Sequence, residues 1–565
     1  MVVGLTMRFR SSSTAQTISA GVTRHHPWLL LALATSLGSA ADQPQWGQAW
    51  TRNQVSAERN LPATFDVAAG TNIKWRARLG TEAHSTPVIA DGRVYIGTNN
   101  NEPRDPKHRG DRGVMMCFDE KTGALLWQLV VPKRSEDPYF DWPNSGISSP
   151  ATVEGNRVYT TSNRGEVVCL DAKGLADGNE GPFKDEGWHM TPPPGAHLPP
   201  KAVIGAEIKP ANMLSPGKDQ SLLESAATLQ TGPLDADIVW LFDLVKDAGI
   251  WPHDGAHSSI LIRGDHLYLN TATGVDNTHK RIRTPDAPSL IVLDKKTGRL
   301  LARDREGMAP FIFHNTWSSP SMAKVDGREL IFFCGGNGIV YAFEPLDVTL
   351  ARAKQSAPKG LSSGQDEARE AATLSKVWQF DIDPTAPKQD VHRYSQNKRE
   401  SPSNILGLPV FAEGRLYVAG GGDTWWGKNE SWLQCIDPRG EGDITGKNLI
   451  WSTPLGYHVM SSSAVVGDLV FIADTSRFIY CMDAKTGEIH WKEEAKGEFW
   501  ASPYLADGKM YIGSRRGDFW VFEANKEKKI LAQLDLGAPI SATAVAANGT
   551  LYVATLFDLF AISSP

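Results

Sequence analysis

The segment Cys481-Met482-Asp483-Ala484-Lys485-Thr486-Gly487-Glu488-Ile489-His490-Trp491 is one copy of a phrase that recurs along most of the chain. A second copy runs from Cys117 to Trp127 around Lys121-Thr122-Gly123, and a third, Leu293-Asp294-Lys295-Lys296-Thr297-Gly298, has Ala302 where the others have Trp. Shortened copies follow Cys169, Cys435 and Phe522. Ahead of each copy stands a Gly turn and then a β-branched or aromatic run, as in Asp91-Gly92-Arg93-Val94-Tyr95-Ile96 and Asp507-Gly508-Lys509-Met510-Tyr511-Ile512. Asp-Gly and Asn-Gly favour tight hairpins because both central residues tolerate positive φ. Each repeat therefore reads as four short strands. The spacing of Phe471, Tyr511 and Tyr552 gives a period of about 40 residues, the length of one propeller blade.

Gly turns at Gly92, Gly155, Gly264, Gly327, Gly414, Gly467, Gly508 and Gly549 predict an all-β, eight-bladed β-propeller of four-stranded antiparallel blades. After Tyr552 only one strand remains, Asp558 to Ile562, so the last blade lacks its fourth. The unclaimed strand Asn72 to Ala77, with Trp75, is expected to close the ring and cover that open edge. The domain reading is a signal peptide over 1–40, an N-terminal extension over 41–71, and a propeller over 72–565 with insertions at about 174–237 and 346–376. Trp75, Trp127, Trp240, Trp378, Trp451 and Trp491 take the blade-packing position.

The formal charge of −6 offers no basic footprint for nucleic acid. The first forty residues carry Arg8, Arg10 and Arg24 and no acid, then an apolar run from Trp28 to Leu37, then Gly38-Ser39-Ala40-Ala41. This pattern is that of a secretory signal. The run is short for a membrane span, and no Cys precedes Cys117 to take a lipid. The expectation is an exported, periplasmic, monomeric protein with no transmembrane helix after processing. Cys117, Cys169, Cys435 and Cys481 occupy equivalent places in separate blades, too far apart to bridge, and Cys334 has a similar apolar setting. All five read as small buried residues.

Long loops between second and third strands in blades 1, 3 and 5 (Asn99 to Gly113, Ala272 to Pro288, Gly420 to Ser431) suggest a rimmed opening on one face. The blade-to-blade connections that reach the ring axis carry aromatic, imidazole and carboxylate groups. Candidate funnel residues are Trp142, Asn144, Trp251, His253, Asp254, His257, His314, Asn315, Trp317, His458 and Trp500. An apolar funnel with a few convergent polar groups is the usual form of a ligand site. His253 and His257 could also hold a metal or carry protons, while His314 and Trp500 could plug the channel.

The repeated Asp-x-Lys-Thr-Gly-x-x-x-Trp phrase resembles the tryptophan-docking repeat of the pyrroloquinoline quinone (PQQ) propeller superfamily, from about Trp75 to the C-terminus. That superfamily includes quinoprotein dehydrogenases and BamB-like assembly proteins without a cofactor. The dehydrogenase resemblance implies PQQ and calcium. Asp141, Asn144, Asp254 and Asn315 would then be candidate calcium oxygens, Asp141 or Asp254 the base (with His253 a further catalytic candidate), and Trp142, Trp251, Trp317 or Trp500 the stacking floor. The vicinal Cys pair common in quinoprotein alcohol dehydrogenases is absent, as is a C-x-x-C-H haem attachment. The leading expectation is a non-catalytic binding or assembly module with an envelope protein, small molecule or glycan as partner. The alternatives are a PQQ- and calcium-dependent alcohol or sugar dehydrogenase and a carbohydrate-binding propeller.

Overall fold

At the first Gly turn, Asp91 and Gly92 both adopt positive φ, 48° and 72°, and fold Val88–Ala90 onto Arg93–Asn99. The sheet continues through Arg112–Asp119 to Leu125–Pro132. The turn before the last strand explains why the phrase recurs. Asp119 Oδ1 accepts hydrogen bonds from the Thr122 amide at 2.8 Å and the Thr122 hydroxyl at 2.7 Å, and Gly123 follows at φ 71°. Asp294 and Thr297 repeat the same pair of bonds. A Cβ on Gly123 would stand 2.7 Å from the Trp75 ring of the neighbouring blade, and one on Gly487 would stand 2.5 Å from Trp451. Glycine is required there by both the backbone and the neighbouring indole.

Each indole N–H then donates to a backbone carbonyl of the next blade. Trp75 reaches Glu120, Trp127 reaches Ala172, Trp240 reaches Lys295, Trp378 reaches Pro438, Trp451 reaches Ala484 and Trp491 reaches Asn525, at 2.8 to 3.2 Å. Cys117, Cys169, Cys435 and Cys481 lie directly across the sheet from Trp127, Trp240, Trp451 and Trp491. A small side chain opposite each indole leaves room for it, and all five cysteines are free and buried.

The structure, a computed structural model, describes residues 41–134, 140–191, 229–254, 257–356 and 371–564. The expected signal peptide and the middle of both insertions lie outside the described residues. Eight sheets form the blades: blade 1 (88–132), blade 2 (152–243), blade 3 (261–303), blade 4 (321–381), blade 5 (403–454), blade 6 (464–494), blade 7 (504–535), and blade 8 (545–562) completed from the front of the chain. Ile73–Arg78 pairs antiparallel with Asp558–Ile562 and closes the ring. Arg76 and Arg78 clasp Asp558 across this seam at 2.8 and 3.2 Å. Blades 3 and 4 each gain a short fifth strand in parallel, Ala372–Thr373 and Gly442–Asp443.

The N-terminal extension has a role that the sequence pattern does not signal. The first strand of each sheet is an edge whose backbone groups need partners. Residues 43–58 reach all eight blades. Carbonyls of Gln43, Pro44, Trp50, Thr51 and Gln54 accept the amides of Ile89, Val153, Met322, Phe411 and Leu505. The Asn53 amide side chain pairs both backbone groups of Val465, at 2.8 and 2.9 Å. The Trp50 indole donates to Ile262, and Glu58 accepts from Gly549. Arg52, fully buried, donates to the carbonyls of Pro320, Trp46 and Ser259.

Candidate functional site

A cavity of about 470 Å³ is lined by residues from blade-to-blade connections all around the ring, which places it at the ring axis. Trp46 of the N-terminal segment also lines it. Trp142, Trp317, Trp425, Trp426 and Trp500 contribute indoles, while Glu82, His84, Asp254, His257, His279, His314 and Arg515 bring polar groups.

Three imidazoles meet at one side. His253, His279 and His314 each offer a ring nitrogen within 4.8 Å of the other two, and the Nε2 atoms of His253 and His314 are 3.1 Å apart. His253 lies on the connection from blade 2 to blade 3 and His314 on that from blade 3 to blade 4. His279 comes from the long second-to-third strand loop of blade 3. That loop is stitched to both connections: the His253 amide donates to Ala272 and the Val275 amide to His314, each at 2.9 Å. A Cβ on Gly274 would lie 2.6 Å from the Cβ of His253, so glycine allows the approach. His279 and Asp254 hold positive φ, 55° and 57°, a conformation that persists in non-glycine residues only when the surroundings enforce it.

Carboxylates flank the trio. Asp423 Oδ2 accepts from His314 Nδ1 at 2.9 Å, while its Oδ1 accepts the amides of Trp425 and Trp426 at 3.0 and 2.9 Å. This bond orients the His314 ring and turns its Nε2 toward His253. Burial opposes charge on His314, but the Asp423 carboxylate outweighs it and holds the imidazole above its ordinary range. Asp254 Oδ2 is 3.2 Å from His253 Nε2. Burial opposes the Asp254 charge, yet the surrounding imidazoles keep its carboxyl well below the usual range. Desolvation pushes His279 down to about 4, with His253 and His314 adding to the effect. Desolvation likewise takes His257 down to about 4.

The sequence-expected residues divide into two groups. Trp142, Asp254, His257, His314, Trp317 and Trp500 line the cavity, with His253 directly behind His314. His257 lies against Trp317 with ring centroids 4.3 Å apart, and Arg515 covers the Trp500 face at 4.4 Å. His314 and Trp500, the expected plug residues, both stand on the cavity wall.

The others are engaged elsewhere. Asp141 is buried on the Lys133 ammonium at 2.8 Å, away from the cavity, and desolvation pushes its carboxyl up to about 7. Asn144 is a turn residue at φ 63° whose carbonyl accepts from Asn99 at 2.6 Å. Trp251 packs edge-on to Phe140 with Arg283 over its other contact surface, so it is not part of a stacking floor. Asn315 leans on His314 Nδ1 at 3.1 Å, and His458 is tied to the Lys428 carbonyl at 2.8 Å.

Sequence reasoning left out of its site set His279, Asp423, Trp425, Trp426, Glu82, His84 and Arg515. The first four sit in the long loops of blades 3 and 5 that form the expected rim. Asp423 is a turn residue, and the same carboxylate also orients His314.

The family described as outer membrane protein assembly factor BamB matches residues 110–175 and 429–555. The quinoprotein alcohol dehydrogenase PedH of Pseudomonas putida is 24% identical over 458 residues, spanning 77% of this chain and 62% of that protein. The chain is a PQQ-like propeller. It thus spans under two thirds of PedH's length. A europium-containing methanol dehydrogenase shares the fold at a TM-score of 0.52 and 11% identity, over 91% of this chain and 89% of that one. BamB from Moraxella catarrhalis aligns at a TM-score of 0.47 and 12% identity, over 87% of this chain and 97% of that one.

Calcium, implied by the quinoprotein resemblance, takes about six to eight oxygen ligands. Of the residues anticipated for it, Asp141 is paired with Lys133 and so is withdrawn from the set, while Asp254 faces imidazoles and Asn315 Oδ1 is buried without a hydrogen-bond partner.

Proposed function

We propose that the chain is an exported, non-catalytic binding module of the cell envelope, whose small polar ligand enters the axial cavity past the loops of blades 1, 3 and 5. The observation that carries this reading is the axial cavity itself, of about 470 Å³ and with six tryptophans on its walls. Its size falls in the range of small-molecule sites, and aromatic walls with a few placed polar groups are their usual lining. The signal-like first forty residues support export. Among the described residues no helix is long and apolar enough to cross a membrane.

A glycan is the ligand class that the indoles favour. Trp142 and Trp425 remain 45% and 37% exposed, which leaves ring surface for an apolar sugar face, while Glu82, Asp254 and Arg515 supply hydrogen-bonding groups around the same space. The test is tryptophan fluorescence of the mature protein, titrated with a panel of oligosaccharides and, separately, with PQQ plus calcium. Saturable quenching by a sugar that disappears in Trp425→Ala supports the reading. Quenching by PQQ with dye-coupled oxidation of alcohols would replace it with the dehydrogenase. No response to either would move the function to a protein partner on the outer surface.

A further inference from the structure

We infer that His253, His279 and His314 form a binding site for a divalent first-row transition ion, open toward the axial cavity. Three observations converge. The first is spacing. Two nitrogens each about 2.0 to 2.1 Å from a tetrahedral zinc stand about 3.3 Å apart, and His253 Nε2 and His314 Nε2 are already 3.1 Å apart, with the His279 donor inside the same 4.8 Å span. The trio is assembled by backbone bonds between the blade 3 loop and its two neighbouring connections.

The second is the group behind the ligand. Imidazoles that bind metals characteristically donate their other ring N–H to a carboxylate or carbonyl, which fixes the tautomer and orientation. His314 does so to Asp423, which is 1% exposed and held in turn by two backbone amides. The third is charge. The carboxylates of Asp254 and Asp423 stand against the imidazoles at 3.2 and 2.9 Å and bring two negative charges to the cluster, the complement of one divalent ion on three imidazoles. All-imidazole ligation suits zinc, copper or nickel and not calcium or magnesium.

Three protein ligands leave a coordination position unfilled. His279, His314 and Asp254 border the cavity, so that position faces it, and an oxygen donor of the ligand, a hydroxyl or carboxylate, would complete the metal's coordination. The inference deepens the binding reading of the same cavity, but its test uses metal alone. Zinc binding without any glycan response would retain the metal site and remove the glycan; a glycan response from protein that takes up no zinc would do the reverse.

The experiment is calorimetric titration of metal-stripped mature protein with zinc, together with the visible spectrum after loading with cobalt(II). The expected result is one zinc per chain, and a cobalt spectrum of four-coordinate character without thiolate charge transfer, since no cysteine belongs to the cluster. His279→Ala and His314→Gln should each weaken zinc by at least about a hundredfold, and Asp423→Asn by about ten- to a hundredfold, with the melting temperature of the metal-free protein unchanged. Binding well below one zinc per chain, or a cobalt spectrum of the hydrated ion, would overturn the inference even if a variant failed to fold. So would zinc affinity unchanged in both histidine variants.

Discussion

The seams between blades and the mouth at the axis are built from the same residue types on opposite plans. At the seams a single contact is repeated: an indole from one blade lies over the turn glycine of the next and donates to its backbone, as Trp75 does to blade 1 and Trp451 to blade 6. At the mouth no single contact repeats around the ring, although indoles and imidazoles arrive from several connections. A tryptophan found at equivalent positions is a packing device, whereas one found once, on a connection or a long loop, belongs to the site. The rim cluster of Asp105, His108 and Asp235 tests how far this distinction reaches. Its donors also lie within 4.8 Å of one another, but Asp235 is bridged to the last strand of blade 1 through Gln128. The Lys107 ammonium already sits 2.5 Å from Asp235 and 3.4 Å from Asp105. The cation there is supplied by the chain, so this is a seam contact made of metal-ligand residue types.

The largest effect should come from a seam tryptophan. Trp127 is fully buried, and Trp127→Ala should cost about 3 to 5 kcal/mol of stability, as for other buried aromatic truncations. A chemical-denaturation midpoint within error of wild type would break the seam assignment. Gly487→Ala should cost about 1 to 2 kcal/mol, because alanine is disfavoured at its φ of 75° and the new methyl meets Trp451. If Trp451→Ala does not relieve part of that cost in the double variant, the clash is not what makes the glycine necessary.

A third prediction concerns acid and the rim cluster. Burial holds His108 below its ordinary 6.5, against the opposing pull of Asp235 and with Arg112 and Lys107 adding to the depression. The unfolded chain therefore takes up this proton before the folded one. The stability tied to neutral His108 is whole above pH 6.5 and is lost as the pH falls below it toward the folded value. Thermal melts at about pH 7.5 and about pH 5.5 should show a larger drop for wild type than for His108→Gln, and equal drops would detach the cluster from seam stability. The smallest stability effect belongs to the mouth. Trp425→Ala should change stability by no more than about 0.5 kcal/mol, in keeping with a partly exposed side chain, yet abolish ligand-induced fluorescence change. A loss of several times that would mean Trp425 is a packing residue after all.

What the sequence reveals and hides follows the same division. Repetition makes the blades legible: Asp119, Thr122 and Gly123 recur because one turn under one indole needs all three. Ring closure by Trp75 and its strand is readable because blade 8 lacks a strand and only one candidate is unclaimed. In the mouth, His253, Asp254, His257 and His314 are visible singly, as unusual residues on connections. Their meeting with His279 is not, because it depends on a loop folding back across two connections. One of the residues anticipated for calcium is withdrawn for a related reason. Asp141 looks available in the sequence, but Lys133 lies beside it only in three dimensions.

The segment 43–58 adds a constraint on the order of folding. Its partners extend from Ile89 to Gly549 and include all eight blades, so the stretch made first finds its last partners only after almost the whole chain exists. Contacts of such sequence separation slow the search for the native state. During synthesis the early blades must wait with their inner edges uncovered, and the ring becomes cooperative in one late step when this strap settles across all eight. A chain shortened by a single terminal blade would lose the strap's final anchors together with the closing strand, and partial rings should behave as aggregation-prone intermediates, not as smaller stable propellers.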